Sequence, residues 1–543
     1  MKKQTLILGN GPCAVAVAEN LLTVGSKIII ATKDDVGGFI GYADSEDLQI
    51  LTETRLVSCQ GSVGNFRIEA TQNNKSVTID AGRIIIAEED QRTSNFSLYG
   101  LKASSNVIPL SRMKILLNDT SPEESVLSEI KKVIFLTGIV KESTSVIANE
   151  VMESSLLLQK EFNIQTYILT KNLKVAGDGL ESLYRETKNA GTIYIKFTDS
   201  LPGIYQEEDT IRIEFVDEIT SRNFRLTPDM TVVDETIVAS PYLTDLTKIF
   251  HIEADADGFV QADNVHRYPV LTNRKGIMVT GPSRGILTDD DQRIDAENAA
   301  LAVTGLAEEE METKLEKAEI HSEKCIQCLN CYHLCPHHAI TLNERVEVEP
   351  DACEGCGICT ANCLGGAIRI KNLNLQAILH QIKTGDVAQA EQTFTPLLVA
   401  FCCSRSAVQA RELALCMGHE LPLGLKVIQV PCAGAISYDH IFAVLKNGAD
   451  GIMLLTCHKG NCHSERGNIF AGQVVKLIKG IFSIIGFEKE RLSIQTLASN
   501  MGTEFSWITN RFEKTIAALG PSRLMKNQWP ENQRRPNMKG NTG

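Results

Sequence analysis

"CIQCLNCYHLCPHHAI" runs from Cys325 to Ile340, and "CEGCGICTANCLGGAI" runs from Cys353 to Ile368. Each stretch writes four cysteines at 2-2-3 spacing and closes on a short apolar end. Three thiols at three-residue steps wrap one small volume. The fourth, after a wider gap, points away from it. The repetition reads as an internal duplication, with "AITL" and "AIRI" as its short strands.

A pair of iron–sulfur clusters accounts for this pattern, because in two-cluster modules the fourth cysteine of each run ligates the other cluster. By that crossing, one [4Fe–4S] set is Cys325, Cys328, Cys331 and Cys363, and the other is Cys353, Cys356, Cys359 and Cys335. Pro336 follows the first run as the bacterial pattern expects, whereas Leu364 stands there after the second. Zinc is the rival reading, but a structural zinc site uses two CxxC pairs rather than three cysteines plus a fourth, twice. The segment from Ala318 to Asn372 resembles the bacterial dicluster ferredoxin domain. That resemblance implies a small α+β module through which electrons pass.

The chain has 543 residues, 43% of them hydrophobic, which is enough for two to four domains with real cores. Its 54 Lys and Arg stand against 67 Asp and Glu, a net charge of −13. That balance argues against nucleic-acid binding, which needs basic patches to replace counterions, and ordinary solubility explains it. "MKKQTLILGNGPCAVAVAENLL" imitates a secretory signal, but Gly9, Asn10, Gly11, Pro12 and Glu19 break its apolar run. No uninterrupted apolar stretch is long enough to span a bilayer. The expectation is a cytoplasmic protein that meets a membrane only through a partner. Of 16 cysteines, eight lie in the two runs, while Cys402, Cys403, Cys432, Cys457 and Cys462 cluster later. In a reducing compartment such clustering points to metal or redox chemistry rather than disulfides. Cys13, Cys59 and Cys416 lack spacing partners and are expected to be small buried hydrophobes.

Upstream, "LILGNGPCAVAVAENLLTVGSKIIIAT" from Leu6 to Thr32 reads as strand, glycine turn, helix, strand. Gly9 and Gly11 permit a tight turn and the close approach of a pyrophosphate, and Ala14 lets the helix pack near the sheet. Thr32 stands where an acidic ribose ligand is expected; Asp34, Asp35 and "VGG" at Val36 to Gly38 follow. Further strands begin at Gly82, Lys131 and Phe162, and a late strand ends at Gly281 ahead of the helical "DDQRIDAENAALAVTGLA". The charged stretch from Thr304 to Lys324 reads as an exposed linker helix.

"LKVAGDGLESLYRETKNAG" at Leu173, "YPVLTNRKGIMVTGPSRG" at Tyr268 and the cysteine pair follow one another in an order similar to two known subunits. These are the flavin subunit of heterodisulfide reductase and the related B subunit of the quinone-interacting membrane-bound oxidoreductase. The resemblance implies FAD on the glycine turn, with Gly9, Gly11, Ala14, Gly38 and Gly281 as its contacts. Two departures stand out. The reductase subunit carries an extra cluster within its flavin domain, but the matching stretch from Phe135 has no cysteine. The family's "ATG" after a middle strand is "AEE" here, Ala87 to Glu89.

Beyond Pro396, three apolar strands each end at cysteine: Val399 to Cys402, Val427 to Cys432 and Ile452 to Cys457. In an open parallel sheet the carboxyl ends gather at one edge, so these cysteines converge. With "CHKGNCH" at Cys457, this block resembles the delta subunit of methyl-viologen-reducing hydrogenase. The resemblance implies a [2Fe–2S] cluster on Cys432, Cys457, Cys462 and either Cys402 or Cys403. It also implies a link between a hydrogenase and heterodisulfide reductase. His458 and His463 could ligate, but such histidines are more often turn residues.

The expected fold class is α/β. A FAD-type Rossmann-like domain covers 1–310, a dicluster ferredoxin α+β insert 318–372, a parallel-sheet α/β domain 393–520, and a disordered tail 521–543. The expected function is an oxidoreductase subunit passing electrons among FAD, two [4Fe–4S] clusters and a [2Fe–2S] site to other subunits of its complex. The alternative is a non-catalytic wiring and docking subunit with a vestigial flavin domain. A free-standing NAD(P)H dehydrogenase would need a second glycine-rich βαβ, and "LTGIVKEST" has one glycine.

Overall fold

The computed structural model describes residues 4–35, 39, 47–118, 126–198, 200–207, 210–217, 220–260, 268–312, 317–342, 344–383 and 394–523. Gly38 and most of the expected tail, 524–543, lie outside them.

The isoleucine-rich strands near the N-terminus are short, continuous apolar runs, as strands covered on both faces should be. Thr5–Leu8 and Ile28–Ala31 flank the helix Pro12–Thr23 and pair in parallel. Their sheet has the order Ile277–Val279, Arg83–Ile86, Thr5–Leu8, Ile28–Ala31, Leu48–Leu51, all parallel. The late strand thus lies beside the middle one, as a Rossmann-like unit closing on itself requires. An antiparallel meander, Thr54–Gln60, Phe66–Gln72 and Lys75–Ala81, is inserted ahead of Arg83. The helix expected after Gly281 spans Asp289–Glu312, so the first part of the expected linker helix is simply its end.

A second five-stranded parallel sheet lies between these pieces, ordered Ile193–Lys196, Gln165–Thr170, Lys132–Leu136, Met230–Val233, Val107–Pro109. The first 310 residues therefore hold two nested Rossmann-like units. Its central helix, Ser145–Phe162, starts at Thr144, whose side chain accepts from the Ile147 amide. Asn163 ends it in the left-handed conformation.

The ferredoxin-type module shows its duplication in the backbone. Glu319–Ile320 pairs with Ile368–Arg369, and Ile340–Leu342 with Val346–Val348, both antiparallel. Short helices Asn330–Leu334 and Ile358–Ala361 carry the third cysteine of each run. The C-terminal domain is a four-stranded parallel sheet ordered Leu425–Val430, Leu398–Cys403, Gly451–Thr456, Leu492–Thr496.

The second five-stranded sheet packs in cores of its own, while one apolar core joins the first five-stranded unit, the ferredoxin-type module and the C-terminal domain. It joins Leu6, Phe66 and Phe250 to Ala339, Cys331 and Ile368, and these to Val399, Phe401 and Ile441. The first units meet the module around Arg274. This buried guanidinium donates to Phe250 O (2.9 Å) and Gly61 O (2.7 Å) and lies over the Phe66 ring. Beside it His251 stacks on His338 with centroids 5.2 Å apart, and Lys275 pairs with Glu354 at 3.7 Å.

The helix Gly467–Ile485 is, among the described residues, long and apolar enough to cross a membrane by length and composition. It carries Lys476 and Lys479, and it packs Phe470, Ala471, Val475, Ile478 and Phe482 into its own domain. One face is thus packed, while Leu477, Ile484 and Ile485 stand exposed on the other.

The expected tail boundary at 521 is too early. Ser522 is buried, and its amide donates to Asp450 at 2.8 Å. Arg491, fully buried, donates to the carbonyls of Asp450 and Gly520 at 3.0 Å each and to the Glu488 carboxylate at 3.1 Å. Arg491→Ala strands these acceptors. It is expected to cost the C-terminal domain about 3–5 kcal/mol, read as a lower thermal midpoint; an unchanged midpoint contradicts the clamp.

Candidate metal centres

Two small cavities open within the ferredoxin-type module. Cys335, Cys353, Cys356 and Cys359 line the first; Cys325, Cys328, Cys331 and Cys363 line the second. These are the crossed sets that the spacing predicts. The loops that bring the thiols round use left-handed backbone at equivalent positions of the two runs. Gln327 and Leu329 hold φ of 52° and 60°, where the second run places Gly355 and Gly357. Side-chain-bearing residues adopt this conformation at a cost and keep it where a site needs it. Backbone amides point at the sulfurs: Ala339 N to Cys335 Sγ at 3.4 Å, Ala367 N to Cys363 Sγ at 3.2 Å, and Ala318 N to Cys353 Sγ at 3.5 Å. Such donors are one lever on a cluster's potential.

The donor chemistry fits a metal cluster. All 16 thiols are free. Burial pushes the Cys356 thiol up to about 12 and raises Cys335 and Cys359 too, and neighbouring thiols push the same way. Buried thiolates in such number need a cation beside them. Among the described residues, no three His, Cys, Asp or Glu side chains converge to hold a single ion. Zinc would draw four sulfurs to roughly 2.3 Å from one atom.

In the C-terminal sheet the strand ends bring together Cys403, Cys432, Cys457 and Cys462, all buried in one apolar pocket with Ile358 and Phe470. Cys403 Sγ lies 3.5 Å from Cys457 Sγ, and the buried Ser406 Oγ lies 3.3 Å from the same sulfur. Hydrogen bonds from Cys457 and Cys432 push the Cys403 and Cys462 thiols down, and the donors' own thiols are pushed up. The four thiols are thus coupled to one another, and a metal would let all of them ionise. Successive residues of a strand face opposite sides, which decides between the two neighbouring cysteines. Cys402 turns into the core with Ala407, Ala410, Met453 and Leu455, and is not at the site. His458 Nε2 faces Met501 Sδ at 3.3 Å, and the His463 ring stands 6.5 Å from that of His337.

At the N-terminal glycine turn, Gly9 holds φ of 128°, and a Cβ there would strike Ala87 O at 2.0 Å, so only glycine serves. Ala14 is buried against the sheet as expected. The other contacts are altered. A Cβ on Gly11 would lie 1.6 Å from Glu89 Oε1, so that carboxylate rests on the bare glycine where a diphosphate would approach. Gly281 packs against Cys13, and its amide donates to Asp295 at 3.3 Å. Beyond the second strand, Thr32 accepts from the Asp34 amide, and Lys33 pairs with the buried Glu88 at 3.2 Å. As arranged, these residues do not fit a flavin dinucleotide until Glu89 leaves. In the second unit the Gly138 amide is likewise taken, by Asp234 at 2.7 Å. Of the unpaired cysteines, Cys13 is buried as expected. Cys59 is only partly covered and Cys416 is exposed, because it ends the helix Ala407–Cys416 on its outer side.

Residues 398–520 match the family model "Methyl-viologen-reducing hydrogenase, delta subunit", and residues 318–341 match a 4Fe-4S binding domain. An iron-sulfur subunit of the F420-non-reducing hydrogenase of Archaeoglobus profundus is 32% identical over 130 residues, covering 24% of this chain and 95% of that protein. Through residues 398–520 the chain belongs to the hydrogenase delta-subunit family. Over 488 residues it is also 24% identical to one component of the ferredoxin:CoB-CoM heterodisulfide reductase of Methanosarcina mazei. That match covers 85% of this chain, which spans about 60% of the length of that relative. Among solved structures, thioredoxin reductase of T. acidophilum aligns with 56% of this chain and 98% of its own, at 14% identity and a TM-score of 0.37.

The delta-subunit domain is set directly against the ferredoxin-type module. A Cβ on Gly467 would lie 2.1 Å from Cys432 Sγ, 3.4 Å from Cys462 Sγ and 3.6 Å from Ile358 Cδ1. Ser464, between the last two motif elements, hydrogen-bonds the Cys356 thiol. Gly357 faces Ala435, where a Cβ would meet the alanine methyl at 2.6 Å. The first cavity and the delta-subunit quartet are therefore separated by single side chains. Gly434, Gly467 and Ser464, which make this approach possible, were not singled out from sequence. Their signal was present only as glycines and a serine beside motif cysteines.

Proposed function

We propose that the chain is an iron–sulfur electron-transfer subunit of a multi-subunit oxidoreductase of the heterodisulfide reductase and hydrogenase type. The crossed quartets hold two [4Fe–4S] clusters, and Cys403, Cys432, Cys457 and Cys462 hold a [2Fe–2S] cluster. Such clusters pass single electrons at potentials that the protein sets. This chain's residues fix the thiols, donate amides to the sulfurs and bury the terminal quartet away from water. Its partners are other subunits of such a complex, whether hydrogenase-linked or quinone-interacting. It works in the cytoplasm and reaches a membrane only through them. The observation that carries this reading is the junction of Cys356 and Ile358 with Cys432 and Gly467. It lays the inner ferredoxin-type quartet against the terminal one without an intervening layer.

The test is metal analysis of anaerobically purified protein with low-temperature paramagnetic resonance. About ten irons per chain and both cluster types are expected. Stoichiometric zinc with negligible iron rules the reading out.

A second reading concerns the first domain alone. The carboxylate resting on Gly11 and the Lys33–Glu88 pair favour a Rossmann-like unit serving as scaffold, with electrons entering the module from another subunit. Flavin released by acid from the purified complex, measured per chain, separates the two.

A further inference from the structure

The helix Pro12–Thr23 opens on Gly11, with no side-chain cap and no acidic residue in its first turn. Its N-terminus carries amides outside the helical ladder and a partial positive charge, which an anion satisfies. The anion present comes from elsewhere in the chain. Glu89, three residues beyond the strand Arg83–Ile86, lays its carboxylate on Gly11. Its Oε1 is buried and has no hydrogen-bond partner among the described residues. A buried oxygen left unpaired is costly, so its place there is held by the surrounding packing.

We infer that Glu89 is an internal plug: its carboxylate occupies the diphosphate position above Gly11, so a dinucleotide such as FAD enters only when this side chain is displaced. The inference deepens the second reading above. It rests on the Rossmann-like unit and is independent of the clusters.

The plug's charge is poised to vary. Burial pushes the Glu89 carboxyl up to about 7, and its neighbours Asp90 and Glu88 raise it further. Arg92 from the next strand opposes them, and Asp289 at the start of the long helix adds to the rise. Cys13 faces it from the first helix, and Lys33 is committed to Glu88. Below that pH the buried group is neutral and the plug sits in place at least cost; above it the plug carries a buried charge. Displacement returns the carboxyl to the ordinary carboxylate range, so binding of the dinucleotide releases a proton, and affinity rises as pH approaches about 7.

The test is equilibrium dialysis of FAD against the full, cluster-loaded chain, depleted of flavin beforehand. Wild type, Glu89→Gln and Glu89→Ala are compared, with riboflavin as a ligand lacking phosphates. Glu89→Ala is expected to bind FAD more tightly than wild type by ~10-fold or more at pH 6, where the buried carboxyl is neutral and the plug is most stable. Wild-type Kd is expected to fall by about tenfold from pH 6 to pH 8, while the glutamine variant stays flat and riboflavin affinity is unchanged throughout. Equal FAD affinity in all three proteins overturns the inference, and so does absence of binding in all three. Glu89→Gln keeps the side-chain volume and reports even if the alanine variant is unstable. Iron content, measured on the same samples, keeps failure of the plug distinct from failure of the cluster assignment.

Discussion

Gly467→Ala is expected to strip the C-terminal quartet of its cluster while both ferredoxin-type centres remain. The added methyl would sit 2.1 Å from Cys432 Sγ and 3.4 Å from Cys462 Sγ. Neither sulfur is the end of a long side chain that can swing away. The backbone cannot retreat either, because a Cβ on the facing Gly434 would already lie 2.7 Å from Gly467 O. One ligand must therefore leave its place. Changes beside metal ligands commonly cost 10–100-fold in metal affinity, and displacement of a ligand itself is expected to reach at least ~100-fold. Anaerobic iron determination should lose about two irons per chain, and the [2Fe–2S] resonance should vanish while the [4Fe–4S] signals persist. Gly472→Ala, on the same helix with open space around it, is the matched control. It should keep every cluster and gain up to about 1 kcal/mol of helix stability. A full iron complement and an unaltered spectrum in Gly467→Ala would refute the placement of the quartet.

Cys335→Ala and Cys363→Ala are expected to differ sharply, though each removes the fourth cysteine of a run. Cys335 belongs with Cys353, Cys356 and Cys359, in the cavity that abuts the delta-subunit quartet. Cys363 belongs with Cys325, Cys328 and Cys331, in the other cavity. Removing Cys335 takes out the centre next to the terminal site. Reduction of the terminal site by a donor that enters at the outer centre should slow by ~100-fold or more, since cluster ligation needs its full cysteine set. Removing Cys363 should spare reduction from the inner centre. Stopped-flow reduction followed at the [2Fe–2S] band, with cluster content measured in parallel, reads the difference. Identical rates in both variants, each having lost a single cluster, would mean that the order along the wire is wrong.

Much of this was legible in the residues. The spacing of the thiols showed which four cysteines would gather round each cavity, and where the short "AITL" and "AIRI" strands lie. Three strands ending at cysteine foretold convergence at one sheet edge, because parallel strands share an end. What escaped was decided by side-chain direction and tertiary approach. Cys402 and Cys403 are adjacent letters, yet strand alternation sends the first into the core and the second to the site. Cys416, read as buried, lies on the open side of its helix. Ser522, assigned to a loose tail, is fastened by Asp450, 72 residues away in sequence. The change from "ATG" to "AEE" was visible, but its meaning was not. Only the approach of the strand Arg83–Ile86 to the first glycine turn shows that Glu89 lands on Gly11 while Glu88 turns to Lys33. The second parallel sheet was seen only as scattered apolar runs, since its partners are separated by inserted strands.

Among the described residues one core runs from Leu6 through Ala339 to Phe401, so the proposed wire lies in a packed body. Carriers on tethers must swing between donor and acceptor, and thickened solvent slows them. Here the stations are cast in one block, so internal electron passage should proceed at the same pace in glycerol as in plain buffer, and only docking of the outside partners should feel the drag.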